Sequence, residues 1–200
     1  MSKSIWTLWL QLVLFQLSCQ LSWQQLDNPI ETLPGPLLIT SLPSIPVACN
    51  SWKDGVCKCS EFEKLVDCGN LNLQYFPIGI PNDTQALDVK YNLISSVPDL
   101  LHLTKLQQID LRSNNLNKVP RLPKTINAIN LSNNKIQNFS TEFMGMSSLF
   151  ELKMDYNSIE YLPVGGFRGC GSLFSLYIRD NRIKILNGSN LEGLDSISEL

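Results

Sequence analysis

Few residues of this 200-residue chain could do chemistry, and their spacing is uneven. Cys49, Cys57, Cys59 and Cys68 cluster as C-x7-C-x-C-x8-C. Four thiols so close together can form two disulfides or hold one metal ion. The C-x-C step suits a tetrahedral zinc site poorly. A segment of about 30 residues cannot bury enough apolar surface to fold unaided, so staples in an oxidising compartment are the expectation. Four cysteines allow three pairings, and their spacing does not choose among them. Cys170 stands alone in FRGCGSLFSLYI and reads as a small buried hydrophobe. His102 is the single histidine, which excludes multi-histidine metal sites and leaves little room for histidine-based catalysis. Asp67, Asp88, Asp110 and Asp155 fall in separate units that imply no convergent pocket, and neither a Gly-rich phosphate loop nor a nucleophile elbow occurs. The chain therefore reads as a non-enzyme, with no cofactor and no metal.

Asparagine supplies a second kind of chemistry. Sequons for N-glycosylation occur at Asn82, Asn130, Asn138 and Asn187. They gain weight from the N-terminus, where the apolar stretch IWTLWLQLVLFQL follows Lys3. That stretch is shorter than the roughly 20 residues of a membrane span. Residues 1–22 are expected to be a signal peptide and the product to be secreted. Residues 23–48 carry Pro29, Pro34, Pro36, Pro43 and Pro46 and are expected to form an extended, disordered linker. With a net charge of −2, no strong field points to nucleic acid or an acidic membrane, and no nucleic-acid partner is expected.

The elements that would position these groups follow from 33 leucines and 18 asparagines, over a quarter of the chain. From residue 84 one template recurs: apolar-x-x-apolar-x-apolar-x-x-Asn-x-apolar. It reads TQALDVKYNLI, LQQIDLRSNNL, INAINLSNNKI, LFELKMDYNSI and LFSLYIRDNRI, and a sixth copy begins at Ile197. The asparagines are Asn92, Asn114, Asn134, Asn157 and Asn181, spaced by 22, 20, 23 and 24 residues. This is the leucine-rich repeat. Neighbouring strand side chains face opposite ways. Leu87 and Val89, and their counterparts down to Leu176 and Ile178, should point inward and fuse into one core across stacked repeats. The five asparagines should form a ladder that satisfies buried backbone groups where the chain leaves each strand. Val97-Pro98, Val119-Pro120 and Leu162-Pro163 predict extended or tight-turn segments on the other side. The expected fold is an α/β-type leucine-rich repeat solenoid, with a parallel sheet on the concave face and a mostly irregular convex side. Residues 49–83 would be a cysteine-rich cap and 84–200 the repeats, five complete and a sixth truncated. The chain stops at Leu200 inside a template with no closing cap, and so reads as a fragment.

Outward strand positions would line the concave face. Asp88, Lys90, Asp110, Arg112, Lys153, Asp155, Tyr156, Tyr177 and Arg179 are the candidate partner-binding residues, with Ser175 among their outward neighbours. Mixed charge and tyrosine favour a protein partner over a polyanion. Asn130 lies on the same face, where a glycan would shield it. Phe150 and Phe174 stand at strand starts, where surface and core are equally compatible.

The run CNSWKDGVCKCSEFEKLVDCGNLNLQYFPIGIPNDTQALDV, with its C-x-C, LVDC and FPIGIP, resembles the cysteine-rich cap of extracellular leucine-rich repeat proteins. The alternating repeats and KVPRLPKTINAINLSNN look like the small leucine-rich proteoglycans. The resemblance implies the pairing Cys49–Cys59 and Cys57–Cys68. It also implies a secreted, extracellular-matrix-type protein that binds an extracellular protein through the concave face. The alternatives are a receptor or adhesion ectodomain whose membrane span lies elsewhere, or the targeting module of a larger peroxidasin-like enzyme.

Overall fold

The computed structural model describes residues 45–50 and 52–199. The expected signal peptide and most of the expected linker lie outside these residues. Seven strands form one sheet: β3 (Lys58–Ser60), β4 (Leu65–Asp67), β5 (Ala86–Asp88), β6 (Gln108–Asp110), β7 (Ala128–Asn130), β8 (Glu151–Lys153) and β9 (Ser175–Tyr177). β3 and β4 pair antiparallel as a hairpin, and every later pair is parallel in sequence order. A separate small ribbon joins β1 (Cys49–Asn50) to β2 (Lys53–Asp54).

The register follows from the alternation in sequence. Val66, Leu87, Ile109, Ile129, Leu152 and Leu176 stand in line across the sheet, all buried. Two residues on, Cys68, Val89, Leu111, Leu131 and Met154 are fully buried as well. Ile178, expected inward, is half-buried and packs against this core. A further rung begins beyond it: Glu199 bridges Ser175 in parallel, and Leu176 N donates to Glu199 O at 2.9 Å. β4 is a rung that the repeat template does not reveal. It belongs to the cap yet pairs with β5 as a repeat strand does, so the cap closes the stack by continuing its sheet.

The disulfides are Cys49–Cys59 and Cys57–Cys68. Contacts with the cap extend ahead of Cys49 to residues 47 and 48, at the end of the expected linker. Val47 bridges Ile78, Ala48 is fully buried, and Ala48 O accepts from Gly55 N at 3.1 Å and Cys57 N at 3.2 Å. Gly55 is required there, since a Cβ would lie 2.4 Å from Val47 O. These backbone bonds hold residues 47 and 48 against the stapled cap despite the prolines before them.

The amides of the repeat asparagines tie each rung to its neighbours. Asn134 Nδ2 donates to Leu111 O and to Leu131 O, both at 3.0 Å, while its Oδ1 accepts from Leu116 N at 3.0 Å. Asn92, Asn114, Asn157 and Asn181 repeat this geometry. Just before each amide the chain turns through a left-handed residue: Tyr91, Ser113, Asn133, Tyr156 and Asp180, with φ between 53° and 56°. Such a conformation costs a non-glycine residue roughly 1–2 kcal/mol. It recurs because the turn lets Tyr91 N reach Arg112 O, Ser113 N reach Ser132 O and Tyr156 N reach Arg179 O on the next rung.

The side opposite the sheet has no α-helix among the described residues; one 3-10 turn spans Gly188–Leu191. Part of its core is aromatic. Phe139 meets Phe143 edge-on at 5.1 Å, and Phe143 stacks on Phe167 at 6.1 Å. Cys170 is fully buried beside them, its thiol directed at Phe143 O at 3.0 Å. His102 is exposed on this side.

Candidate partner-binding face

Outward side chains of the parallel strands form columns. Asp88, Asp110, Asn130, Lys153 and Tyr177 stand in register in one column. Lys90, Arg112, Ser132, Asp155 and Arg179 follow two residues later. The acidic or amide group in the first column accepts from the backbone N–H two residues on: Asp88 from Lys90 at 3.0 Å, Asp110 from Arg112 at 3.0 Å, Asn130 from Ser132 at 3.1 Å. These short loops fix the side chains in place.

Every candidate cation has a carboxylate within 3.9 Å, although Arg112 Nε makes no hydrogen bond to its own. Lys90 bonds Asp88, Arg112 Nε lies 3.3 Å from Asp110, Lys153 lies 2.9 Å from Glu151, and Arg179 lies 3.9 Å from Asp155. These pairs are partly exposed, so each contributes at most about 1 kcal/mol to stability. Their main consequence is that each of these cations lies against a carboxylate of its own or the preceding rung. The bond to Asp88 holds the Lys90 ammonium above the usual lysine range. Burial pushes the Asp110 carboxyl up, against the pull of the Arg112 amide and charge. Arg112 lies over the Tyr91 ring at 5.2 Å and Lys153 over Tyr177 at 5.4 Å.

A hollow of about 360 Å³ opens on this face. Among the candidates, Asp88, Asp110, Arg112 and Lys153 line it, together with Gln108, Asn130 and Glu151. Ala86 and Ala128 make room for it. Tyr156 stands outside the hollow in the left-handed column and is 58% exposed. Arg179 is also exposed beyond it. Ser175, expected as an outward surface residue, is only 5% exposed, because Glu199 covers it and accepts from its hydroxyl at 2.9 Å. The same carboxylate accepts from the Tyr177 hydroxyl. That bond holds the Glu199 carboxyl below and the Tyr177 phenol above their ordinary values. Glu199 escaped the sequence reading because only half of its template is present. Phe150 and Phe174 stack flat on the surface at 5.3 Å, 54% and 38% exposed, and are not core. Their position just before each strand, in line with Gln107 and Asn127, is the signal that could have placed them outside.

The sequons separate by position. Asn82, Asn138 and Asn187 are exposed away from the sheet, and Asn130 lines the hollow. Among the described residues no cluster of acidic, histidine or cysteine side chains could hold a metal ion, and no helix is long and apolar enough to cross a membrane.

No protein-family model matches the chain. It is 27% identical to bovine (Bos taurus) osteomodulin over 158 residues, which cover 74% of this chain and 31% of osteomodulin. It is 25% identical to biglycan from Sus scrofa over 212 residues, 95% of this chain and 76% of biglycan. The chain thus spans about a third of osteomodulin and most of biglycan. Among solved structures, a complex of Latrophilin 3, Unc5D and the leucine-rich repeats of FLRT2 matches with a TM-score of 0.59 and 27% identity, over 72% of this chain and 52% of that one. Rungs, ladder, stapled cap and relatives agree: the chain is a leucine-rich repeat solenoid with a disulfide-bonded amino-terminal cap, similar to extracellular leucine-rich repeat proteins and among them the small leucine-rich proteoglycans.

Proposed function

We propose that the chain is a secreted, extracellular-matrix-type binding protein that recognises another extracellular protein through the concave sheet face. It has no enzymatic role in this reading. The carrying observation is the pairing of the cations on that face: Lys90, Arg112, Lys153 and Arg179 each lie against a carboxylate. Sulphated polysaccharide or nucleic acid would need free cations. A protein surface of mixed sign can exchange these weak pairs for its own and seat on the tyrosines beside them. The half of the face at β8 and β9 carries Tyr156, Tyr177 and Arg179, residue types that concentrate binding energy. Osteomodulin and biglycan as relatives support the matrix setting. A glycan on Asn130 would occupy the hollow, so this reading expects binding by the form with Asn130 bare.

The test is a panel of purified matrix proteins presented to the secreted chain by surface plasmon resonance. At least one should bind, and Y156A/R179E should weaken it at least tenfold, while K118E on an exposed loop leaves it unchanged. Binding indifferent to Y156A/R179E removes the sheet face from the proposal. Tight retention on heparin at physiological salt removes the protein-partner reading.

A further inference from the structure

The cap carries an apolar knob that the sheet-face reading does not use. Phe62 is 98% exposed, more than any other large apolar residue among those described. It stands at the tip of the β3–β4 hairpin, between the exposed carboxylates of Glu61 and Glu63. The hairpin is rigid. Cys59 in β3 and Cys68 just after β4 are both disulfide-bonded, and Ser60 Oγ accepts from Glu63 N at 3.3 Å. Lys64 is pinned to Asp83 at 2.8 Å and lies over the Trp52 ring at 5.1 Å. An aromatic ring held out on a stapled stalk loses little entropy when a partner covers it.

A matching hole exists elsewhere on the same molecule. Away from the sheet, a hollow of about 420 Å³ has a buried floor of Leu122 and Met146 and half-open walls of Leu101 and Met144. Arg121 and Lys124 rim it. Glu142 is also at the rim, but its carboxylate accepts from Ser140 N, and Asp99 pairs with Arg121 at 3.1 Å. Lys124 has no ion-pair partner among the described residues. A cavity of about 150 Å³ already holds a benzene ring, so the hollow has room for a phenyl group. Methionine walls adapt to its shape.

We propose that Phe62 of one copy inserts into the Leu101–Met144 hollow of a second copy, with Glu61 and Glu63 facing Lys124 and Arg121. The knob and the hole are different patches, so the contact is head-to-tail and leaves a free knob and a free hole at the two ends of every open assembly. One side chain in one hollow makes a small interface, so the expected Kd lies between about 1 µM and 1 mM. This association is independent of the sheet face.

Sedimentation velocity on the purified full chain tests it, from about 1 µM to 1 mM. The weight-average mass should rise with concentration. F62S and M144E both change exposed side chains, and a circular dichroism spectrum like that of the parent checks their folding. Each alone should stay monomeric. Mixed in equal amounts they should form a pair that stops at two copies, because F62S keeps the hole and M144E keeps the knob. E61K/E63K should weaken association at least tenfold, and the chain carrying E61K/E63K together with R121E/K124E should recover it. A parent chain of constant mass overturns the proposal, as does undiminished association by F62S or a mixture that stays monomeric.

Discussion

Asn134→Ala isolates the worth of one ladder amide. Asn134 is 8% exposed and makes three close hydrogen bonds. They are not equivalent when lost. Leu111 O also accepts from Asn114 Nδ2 at 3.1 Å, and Leu131 O also accepts from Asn157 Nδ2 at 3.0 Å. Both carbonyls keep one donor in the variant. Leu116 N has no second acceptor, and its neighbourhood is buried, so it becomes an orphan donor. An unsatisfied buried group costs about 1–3 kcal/mol, and each of the two remaining bonds contributes about 0.5–1.5 kcal/mol net. The expected loss is about 2–6 kcal/mol. Asn134→Asp should be worse at neutral pH, since it keeps the acceptor for Leu116 N but brings a carboxylate against two carbonyl oxygens. Asn181→Ala should cost less than Asn134→Ala, because Asn181 is only half-buried and water can replace its amide. Urea unfolding followed by far-ultraviolet circular dichroism measures all three, with exposed Lys135→Ala as the control, expected within about 0.5 kcal/mol of the parent. If Asn134→Ala falls within that same band, the ladder does not carry the backbone load assigned to it.

Tyr177 should titrate above the ordinary tyrosine value, and Glu199→Gln should bring its midpoint down. The phenol's folded pKa is raised, so its bond to Glu199 adds stability below the unfolded tyrosine value and loses it as pH rises through the folded one. The Glu199 carboxyl is lowered, so the same bond is lost at the acid end as pH falls through the folded carboxyl value. Ultraviolet titration of tyrosinate in the parent and in Y177F reads the first of these, and an unshifted midpoint in Glu199→Gln would contradict it. Cys170 is fully buried and burial raises its pKa, so alkylation there should track global unfolding as urea rises. Peptide mass mapping gives the rate, and native-state labelling as fast as a free thiol would place Cys170 at the surface instead.

The inner wall was legible because two simple rules overlap there. Alternation assigns Leu87, Ile109, Ile129, Leu152 and Leu176 to the core, and a phased amide marks each exit from the strand. The cap rung was not legible. In β4 the template amide gives way to Leu71, whose backbone N–H takes the Oδ1 of Asn92 at 3.1 Å, and the cysteines draw the eye elsewhere. The Phe139–Phe143–Phe167 cluster was missed because the outer segments vary in length, so no fixed period announces it. On the face itself, residue types were readable and partners were not. Whether Lys153 turns to Glu151 or stays free depends on side-chain packing that spacing does not encode.

The ladder bonds reach no farther than the adjoining rung: Asn114 touches carbonyls of its own turn and the one before, and Asn157 likewise. Nothing in that scheme counts how many turns there are. A gene encoding it can gain or lose one whole unit at a duplication or deletion and leave the remaining joints intact. A cut of half a unit would instead put leucines where the amides belong. Evolution of such a chain should therefore proceed in steps of one coil, lengthening or shortening the reading surface without redesigning it.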